Sequence, residues 1–385
     1  MYRGGTSRGL LFLEDHLPYS RDVLAPILLR AFGSPDVRQI DGVGGGTSLT
    51  SKALIVGAEP TAVADVHMLF AQVAVAAPTV DWGGNCGNMT SAVGPFAIDS
   101  GLVPASDPVT IVNIRSLNTG TFVRAHVPVR GGRVYTEGSY AIAGVRGTAA
   151  RIDLEWLEPG GTTTGRLLPT GKVREEFVLS GGRRIEVSIV DAANPMVFCK
   201  ATSLGLKGTE LPAALESNAG VLRLLEEIRS MAAEVLGIAS RDEATKVSPG
   251  LPKVAFVAPP APYLTTSGEA LAADTHDFQG RYVTMQTPHR AYAGGGAICT
   301  GAAALIAGTV VNECVPHGRL DLEHLRIGHP AGVMDVRVKM RGSGTDAHVL
   351  SATVARTARR IMSGGVWVPE SLVPQTATAR AAGSY

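Results

Sequence analysis

The chain has 385 residues, 45% of them hydrophobic, and a formal net charge of +1 at neutral pH. That length is enough for two ordinary domains, and so small a charge gives no pull toward nucleic acid or an anionic membrane. Aromatic residues make up 5% while glycine occurs 46 times, which favours turns and close small-residue packing over broad aromatic surfaces. Cys86, Cys199, Cys299 and Cys314 form no C-x-x-C pair. One Cys314/His317 spacing is too little for zinc, and the cysteine density is too low for a disulfide framework. Reduced thiols in a cytoplasmic protein are expected. The opening residues lack a signal-peptide layout, and no apolar run reaches the length of a membrane span.

Taken in chain order, the first landmark is Arg3-Gly4-Gly5-Thr6-Ser7-Arg8-Gly9, a small polar loop feeding Leu10-Leu11-Phe12. Its N–H and hydroxyl groups can ring an anion. Ser20 is placed to cap a helix over 21–32, closed by Gly33, with Pro26 kinking it or delaying its start. Residues 44–46, all glycine, lead through Thr47, Ser48 and Ser51 to Lys52, just before the apolar strand 53–56. The spacing is not that of a phosphate loop, because Ser51 precedes the lysine and Ala53 follows it. A lysine in that place ordinarily reaches back to solvent; turned into a pocket, its charged form is disfavoured and the amine becomes a usable base.

Next comes Gly83-Gly84-Asn85-Cys86-Gly87-Asn88, ahead of an apolar helical run at 91–97 that Pro95 interrupts. If Gly87 and Asn88 open a helix, their N–H groups point toward the thiol and toward any nearby anion, and the helix end favours thiolate. Most free cysteines are small buried hydrophobes; the flanking Asn85 and Gly87 set Cys86 apart. Strands are predicted at 109–114, 121–129, 133–136, 184–190, 197–200, 254–257, 333–340 and 348–354, rich in Val and Ile and bounded by turn residues. Asn218 is placed to cap a helix to about residue 236, with Leu222, Leu225, Ile228 and Ala232 on one face, and another apolar helix covers 302–306. Arg356, Arg359 and Arg360 have helical spacing and read as a solvated face. Many strands with few buried helices give an α+β fold class.

Three landmarks occur twice in the same order. The loop and strand of 3–12 are echoed at 191–198. Gly83-Gly84-Asn85-Cys86-Gly87 is echoed by Gly296-Ala297-Ile298-Cys299-Thr300-Gly301. Asn118-Thr119-Gly120, before a strand, is echoed by His329-Pro330-Ala331-Gly332. The thiol precedes the third landmark by 32 residues in the first half and 30 in the second. Two similar domains are therefore expected, 1–180 and 181–370, with their Gly-rich loops facing across a cleft and 371–385 as a flexible tail.

These motifs resemble the PrpF family over nearly the whole chain. The matching stretches are 3–9, 38–42 with 44–52, 85–88, 94–97, 288–290, 328–330 and 356–362. The resemblance implies a fold like that of diaminopimelate epimerase: two pseudo-symmetric α+β domains, each a curled, mostly antiparallel sheet around a central helix, with the site in the cleft between. It also implies a cofactor-independent isomerase that transfers a proton along the allylic system of a small unsaturated di- or tricarboxylate, such as 2-methylaconitate, aconitate, methylitaconate or 4-oxalomesaconate. The family's lysine and cysteine fall on Lys52 and Cys86.

Arg3, Thr6, Ser7, Thr47, Ser48, Ser51, Asn85, Gly87, Asn88, Cys299, Thr300 and His329 are the expected substrate contacts. No metal, nucleic acid or membrane partner is expected, and a homodimer is the default. Family members usually carry several residues before the first loop, so a shortened strand or an upstream start is expected here. Two other readings stand beside this one. Cys86 and Cys299 could be the opposed bases of a racemase, although the second motif matches diaminopimelate epimerase poorly. The chain could also be a non-catalytic accessory protein of an aconitase-type dehydratase.

Overall fold

The computed structural model describes the chain apart from Tyr19, Pro60, His317, residues 319–323 and residues 374–385. His317 and the expected tail from 374 onward therefore lie outside the described residues. The chain forms two compact units, residues 1–154 with 356–385, and residues 155–355. The boundary expected near 180 thus lies at 154/155, and the C-terminal segment belongs to the first unit. Strand pairing is the reason: Glu175–Val178 is the antiparallel neighbour of Arg184–Ala192, whereas Ala358–Arg360 is the antiparallel neighbour of Tyr2–Gly4.

The first unit runs β1 (Tyr2–Gly4), β2 (Ser7–Leu13), α1 (Arg21–Phe32), β3 (Lys52–Ala58), β4 (Val66–Val73), β5 (Val80–Asp81), α2 (Gly87–Thr90), α3 (Val93–Asp99), β6 (Val109–Ser116), β7 (Phe122–Arg130), β8 (Arg133–Val134) and β9 (Ile152–Leu157), the last carrying the chain over the boundary. The hairpin β1–β2 is followed by a parallel step to β3 and an antiparallel step to β4. A parallel step then leads to β6, and the hairpin β6–β7 follows. One face of the β2–β3–β4 ladder packs Leu10, Ala53, Ala71 and Val73 against Leu28, Ala31 and Phe32 of α1. Burying each such large side chain stabilises the fold by about 1.5–3 kcal/mol. The helix falls on the residues expected, closes on Gly33 at φ 78° and keeps Pro26 inside it.

On the other side, α3 packs closely on β6 and β7: a Cβ at Gly94 would lie 2.6 Å from Val127 Cγ2 and 3.1 Å from Ala125 Cβ. Only glycine lets backbone and strand approach so far.

The second unit runs β10 (Glu175–Val178), β11 (Arg184–Ala192), β12 (Asn194–Lys200), α4 (Pro212–Glu216), α5 (Ala219–Val235), α6 (Ala244–Val247), β13 (Lys253–Ala258), β14 (Tyr263–Leu264), β15 (Ala270–Leu271), β16 (Phe278–Thr284), β17 (Thr287–Pro288), α7 (Gly294–Leu305), β18 (Leu325–His329), β19 (Gly332–Arg341) and β20 (His348–Arg356). Its ladder repeats the order of the first unit: hairpin β11–β12, parallel β12–β13, antiparallel β13–β16, parallel β16–β18, hairpin β18–β19. The Asn218 side chain accepts from Val221 N at 3.1 Å and caps α5, as expected. Leu225, Ile228 and Ala232 of α5 join the core with Val197, Val254 and Phe256. Helix α7 is buried from Gly294 through Ala304, and so reads as a helix wrapped on all sides.

Every predicted strand overlaps an observed one. The arginine run departs from the sequence reading. Its i, i+3, i+4 spacing lies in extended chain, the end of β20 and β21 (Ala358–Arg360), and Arg356 is buried rather than on a solvated face.

Candidate active site

Lys52 opens β3 and is 7% exposed. Its Nζ donates to Gln72 Oε1 and stands 5.4 Å from the centre of the Phe70 ring. Gln72 Nε2 donates to the carbonyls of Ser51, at 2.9 Å, and Ser48, at 3.2 Å. Those bonds orient the amide so that its oxygen faces the lysine. Lys52 is the direct partner of Gly9 in β2 and of Gln72 in β4, so the three share one sheet face. A Cβ on Gly9 would lie 3.1 Å from Met89 Cε in α2, which makes this the face that α2 covers.

Ser7, two residues before Gly9, is on that face too, opposite Gly4. A Cβ at Gly4 would meet Asn88 O at 2.6 Å and Met89 Cα at 3.0 Å, so the hairpin lies directly on α2. Ser7 is 3% exposed and its Oγ has no hydrogen-bond partner. Such a hydroxyl costs about 1–3 kcal/mol when left unsatisfied, and a ligand oxygen would offset that.

Cys86 is partly exposed and caps α2. Asn85 Oδ1 accepts from its N–H at 2.7 Å, and its carbonyl accepts from Thr90 N at 2.9 Å and Thr90 Oγ1 at 3.0 Å. The N–H groups of Gly87 and Asn88 therefore precede the first helical hydrogen bond, where donors are available to an anion. The Asn88 side chain is engaged: Nδ2 donates to Thr6 Oγ1 at 3.0 Å, and Oδ1 accepts from Arg356 Nε at 2.9 Å. Burial pushes the Arg356 guanidinium down to about 10, against the opposing pull of Tyr140 and Cys86. A buried cation thus stands within electrostatic reach of the thiol.

The other expected residues divide by position. Arg3 Nη1 donates to the carbonyls of Gly5, at 2.9 Å, and Thr357, at 2.8 Å. It pairs directly with Arg8, and strand alternation puts both on the face opposite Lys52. Ser51 is fully buried, its Oγ donating to Gln39 Oε1 at 2.9 Å and Thr47 O at 2.8 Å. Thr47 and Ser48 are exposed; Ser48 acts through its carbonyl on Gln72.

Cys299, Thr300 and His329 lie in the second unit, all buried. Cys299 is the sixth residue of α7 and its Sγ donates to Val190 O at 3.2 Å; burial raises the thiol well above its usual range. Thr300 Oγ1 donates to Gly296 O at 2.7 Å and is 2.9 Å from the Tyr292 hydroxyl. His329 Nδ1 accepts from Ala331 N at 3.2 Å.

Gln72 is missing from the sequence reading, which also put the buried Arg356 on a solvated face rather than beside Asn88. Gln72 sits in β4, a strand the sequence analysis does not assign; its signal is one amide in the otherwise apolar Met68-Leu69-Phe70-Ala71-Gln72-Val73. Among the described residues no group of three or more His, Cys, Asp or Glu is placed to hold a metal ion. No helix among them is long and apolar enough to cross a membrane.

An amine, a thiol, a buried hydroxyl and helix-start donors in one unit are the equipment for acid–base chemistry on a small anion. Residues 1–369 match the family described as PrpF protein. The chain is 43% identical over 371 residues to 3-methylitaconate isomerase of Eubacterium barkeri, with 96% of each chain covered. It is 38% identical over 381 residues to 2-methyl-aconitate isomerase of Shewanella oneidensis, again with 96% of each covered. The crystal structure of methylitaconate-delta-isomerase matches with a TM-score of 0.81 at 41% identity, covering 100% of this chain and 97% of that one. The protein is an isomerase with an α+β fold, and it belongs to the PrpF family.

Proposed function

We propose that this chain isomerises a small unsaturated di- or tricarboxylate by moving a proton from one end of an allylic system to the other, without a cofactor. The observation that carries the reading is the buried Lys52, fixed by Gln72 on the sheet face that also bears Ser7 and meets Asn88 and Met89 of α2, the helix that Cys86 caps. A carbon acid beside a carboxylate is weak, so its ionisation needs a positioned base and stabilisation of the dienolate. Lys52, as the neutral amine, takes the proton from the saturated allylic carbon. The C–H electron pair spreads through the double bond onto the carboxylate. The N–H groups of Gly87 and Asn88, with the Ser7 and Thr6 hydroxyls, hold that developing charge. The far carbon is reprotonated by the Lys52 ammonium or by the Cys86 thiol; in the second case the ammonium returns a proton to the thiolate. Rotation in the dienolate before reprotonation gives a cis–trans outcome.

In this reading Ser48 and Ser51 act through Gln72, Asn85 orients Cys86, and Thr47 braces the loop. Cys299, Thr300 and His329, hydrogen-bonded within their own unit, carry no step. The reading also takes the units as copies of one epimerase-like plan, supported by their common ladder order. The relatives' names make methylitaconate and methylaconitate the first candidates. Proton NMR in D₂O with methylitaconate, methylaconitate, aconitate and oxalomesaconate isomers tests it. One acid should be converted with deuterium entering at an allylic carbon. A folded enzyme that neither converts nor exchanges any of them would reject the reading.

A further inference from the structure

The landmark Asn118-Thr119-Gly120 follows β6 and takes no part in the chemistry described so far. One edge of β4 is paired with β3 along its length. The other edge is shared: β6 pairs with it from Val66 to Met68, and β5 from Gln72 to Val73. Phe70 falls in the gap between those two strands. There the Asn118 side chain stands in for a strand, Oδ1 accepting from Phe70 N at 2.8 Å and Nδ2 donating to Phe70 O at 2.9 Å. Nδ2 also donates to Trp82 O at 2.8 Å, which uses both hydrogens of the amide.

These bonds join the Lys52 side of the candidate active site to the Cys86 side. Phe70 carries the ring beside the Lys52 amine, and Gln72, two residues on, holds that amine. Trp82 begins the loop that ends at Cys86. The Trp82 ring rests on the core beside α1, but the loop beyond it has little to lean on. A Cβ at Gly84 would meet nothing within 4 Å. The bonds from Gly83 N to Asp81 Oδ1 and from Cys86 N to Asn85 Oδ1 are internal to the segment. Two successive glycines add no stiffness of their own. Helix α2 is held separately, through Asn88, by Thr6 and Arg356, so slack in the loop would move the thiol more than the helix.

We propose that Asn118 is a positioning residue that fixes the Cys86 thiol relative to the Lys52 amine by tying Trp82 to β4. Its effect on the reaction rests on the reading of the site given above; the tether itself does not. A second asparagine supplies the control. Asn113 closes the same β4–β6 seam at its other end, donating to Asp65 Oδ2 from its backbone N at 2.7 Å and from Nδ2 at 3.0 Å. A merely structural role belongs to both asparagines, whereas the bond to the Cys86 loop belongs to Asn118.

Hydrogen–deuterium exchange of the full chain, read by mass spectrometry over residues 79–86, tests the tether without substrate. Exchange there should be about threefold or more faster in Asn118→Ala than in the wild type, and unchanged in Asn113→Ala. Unchanged exchange in Asn118→Ala, or an equal rise in both variants, would overturn the proposal. Rate measurements test the consequence. Asn118→Ala should lower kcat about tenfold or more with KM little changed, because a misplaced group costs rate rather than binding. In the Cys86→Ala background the same change should cost less than about twofold. An equal loss in both backgrounds would overturn the proposal, since Asn118 would then act on the fold or on Lys52. Faster exchange with kcat unchanged would uphold the tether and count against Cys86 as an acid–base group. If Asn118→Ala does not fold, Asn118→Asp takes its place: the introduced carboxylate still accepts from Phe70 N, while donation to Trp82 O is lost.

Discussion

The helix that opens at Cys86 and the helix that contains Cys299 look alike in sequence and differ in chemistry. Contacts give the register between them. Asn88, the second residue of α2, lies against the β1–β2 turn, where a Cβ on Gly5 would be 2.3 Å from its Oδ1; Gly295, the second residue of α7, lies against Asn194 in the β11–β12 turn, with 2.3 Å to Nδ2. Six residues further on, Gly94 faces Val127 and Gly301 faces Val336, each too close for a side chain. By that register the counterpart of Cys86 is Ala293, the cap of α7, and Cys299 lies two turns deeper. A thiol gains from free N–H groups only at the cap. Inside a wrapped helix it is a small hydrophobe. The two-thiol racemase therefore lacks a second thiol at the helix mouth.

The largest expected effect separates the two cysteines. Cys86→Ala should lower the isomerisation rate about 10²–10⁴-fold, the usual worth of a positioned acid or base. Cys299→Ala should leave the rate nearly unchanged and cost about 0.5–3 kcal/mol of stability in urea unfolding. Equal loss of rate in both would restore the opposed-thiol mechanism. The same contrast is visible without mutation. Burial raises Cys314 to about 11 and Cys199 to about 12, and Cys299 higher still. An acid so raised stays protonated below its own value, so these three remain thiols at pH 8. Iodoacetamide should label the native chain at Cys86 alone, and rapid labelling at Cys299 would contradict the burial argument.

A middle-sized effect belongs to Gln72. Gln72→Leu removes the acceptor that holds Lys52, and a misplaced base costs about 10²-fold in rate. The loss should appear in kcat with KM little changed, because Gln72 positions the amine rather than touching substrate. A change confined to KM would move Gln72 to the binding set. The smallest effect tests the register. Gly94→Ala and Gly301→Ala should each destabilise by about 1–3 kcal/mol through overpacking; a neutral result at either would undo the alignment of α3 with α7.

Much of this was legible before any coordinates. The strand segments, α1 with its Gly33 stop and the Asn218 cap of α5 all follow from local patterns. The motif around Lys52 and Cys86 was legible because glycine, asparagine and hydroxyl residues cluster where backbone donors are needed. Three things were not. Gln72 acts across a strand ladder, and cross-strand partners leave no mark at fixed sequence spacing. Arg356, Arg359 and Arg360 carry a helical spacing by coincidence: Arg356 ends β20, and pairing of β21 with β1 puts Arg359 and Arg360 on a sheet. The echo of Cys86 at Cys299 matched residue types rather than helix starts, so it missed the register by six residues. The unit boundary went the same way: segment 155–180 looks like the end of one half but pairs with the next.

The central claim, that the Lys52 amine removes the substrate proton, is tested most directly by proton NMR in D₂O on the acid that the wild-type enzyme converts. The wild type should place deuterium in the recovered substrate and in the product. Lys52→Met, shown to be folded by circular dichroism, should place none in either. Exchange at the wild-type rate in that variant would contradict the claim and assign the base to another group.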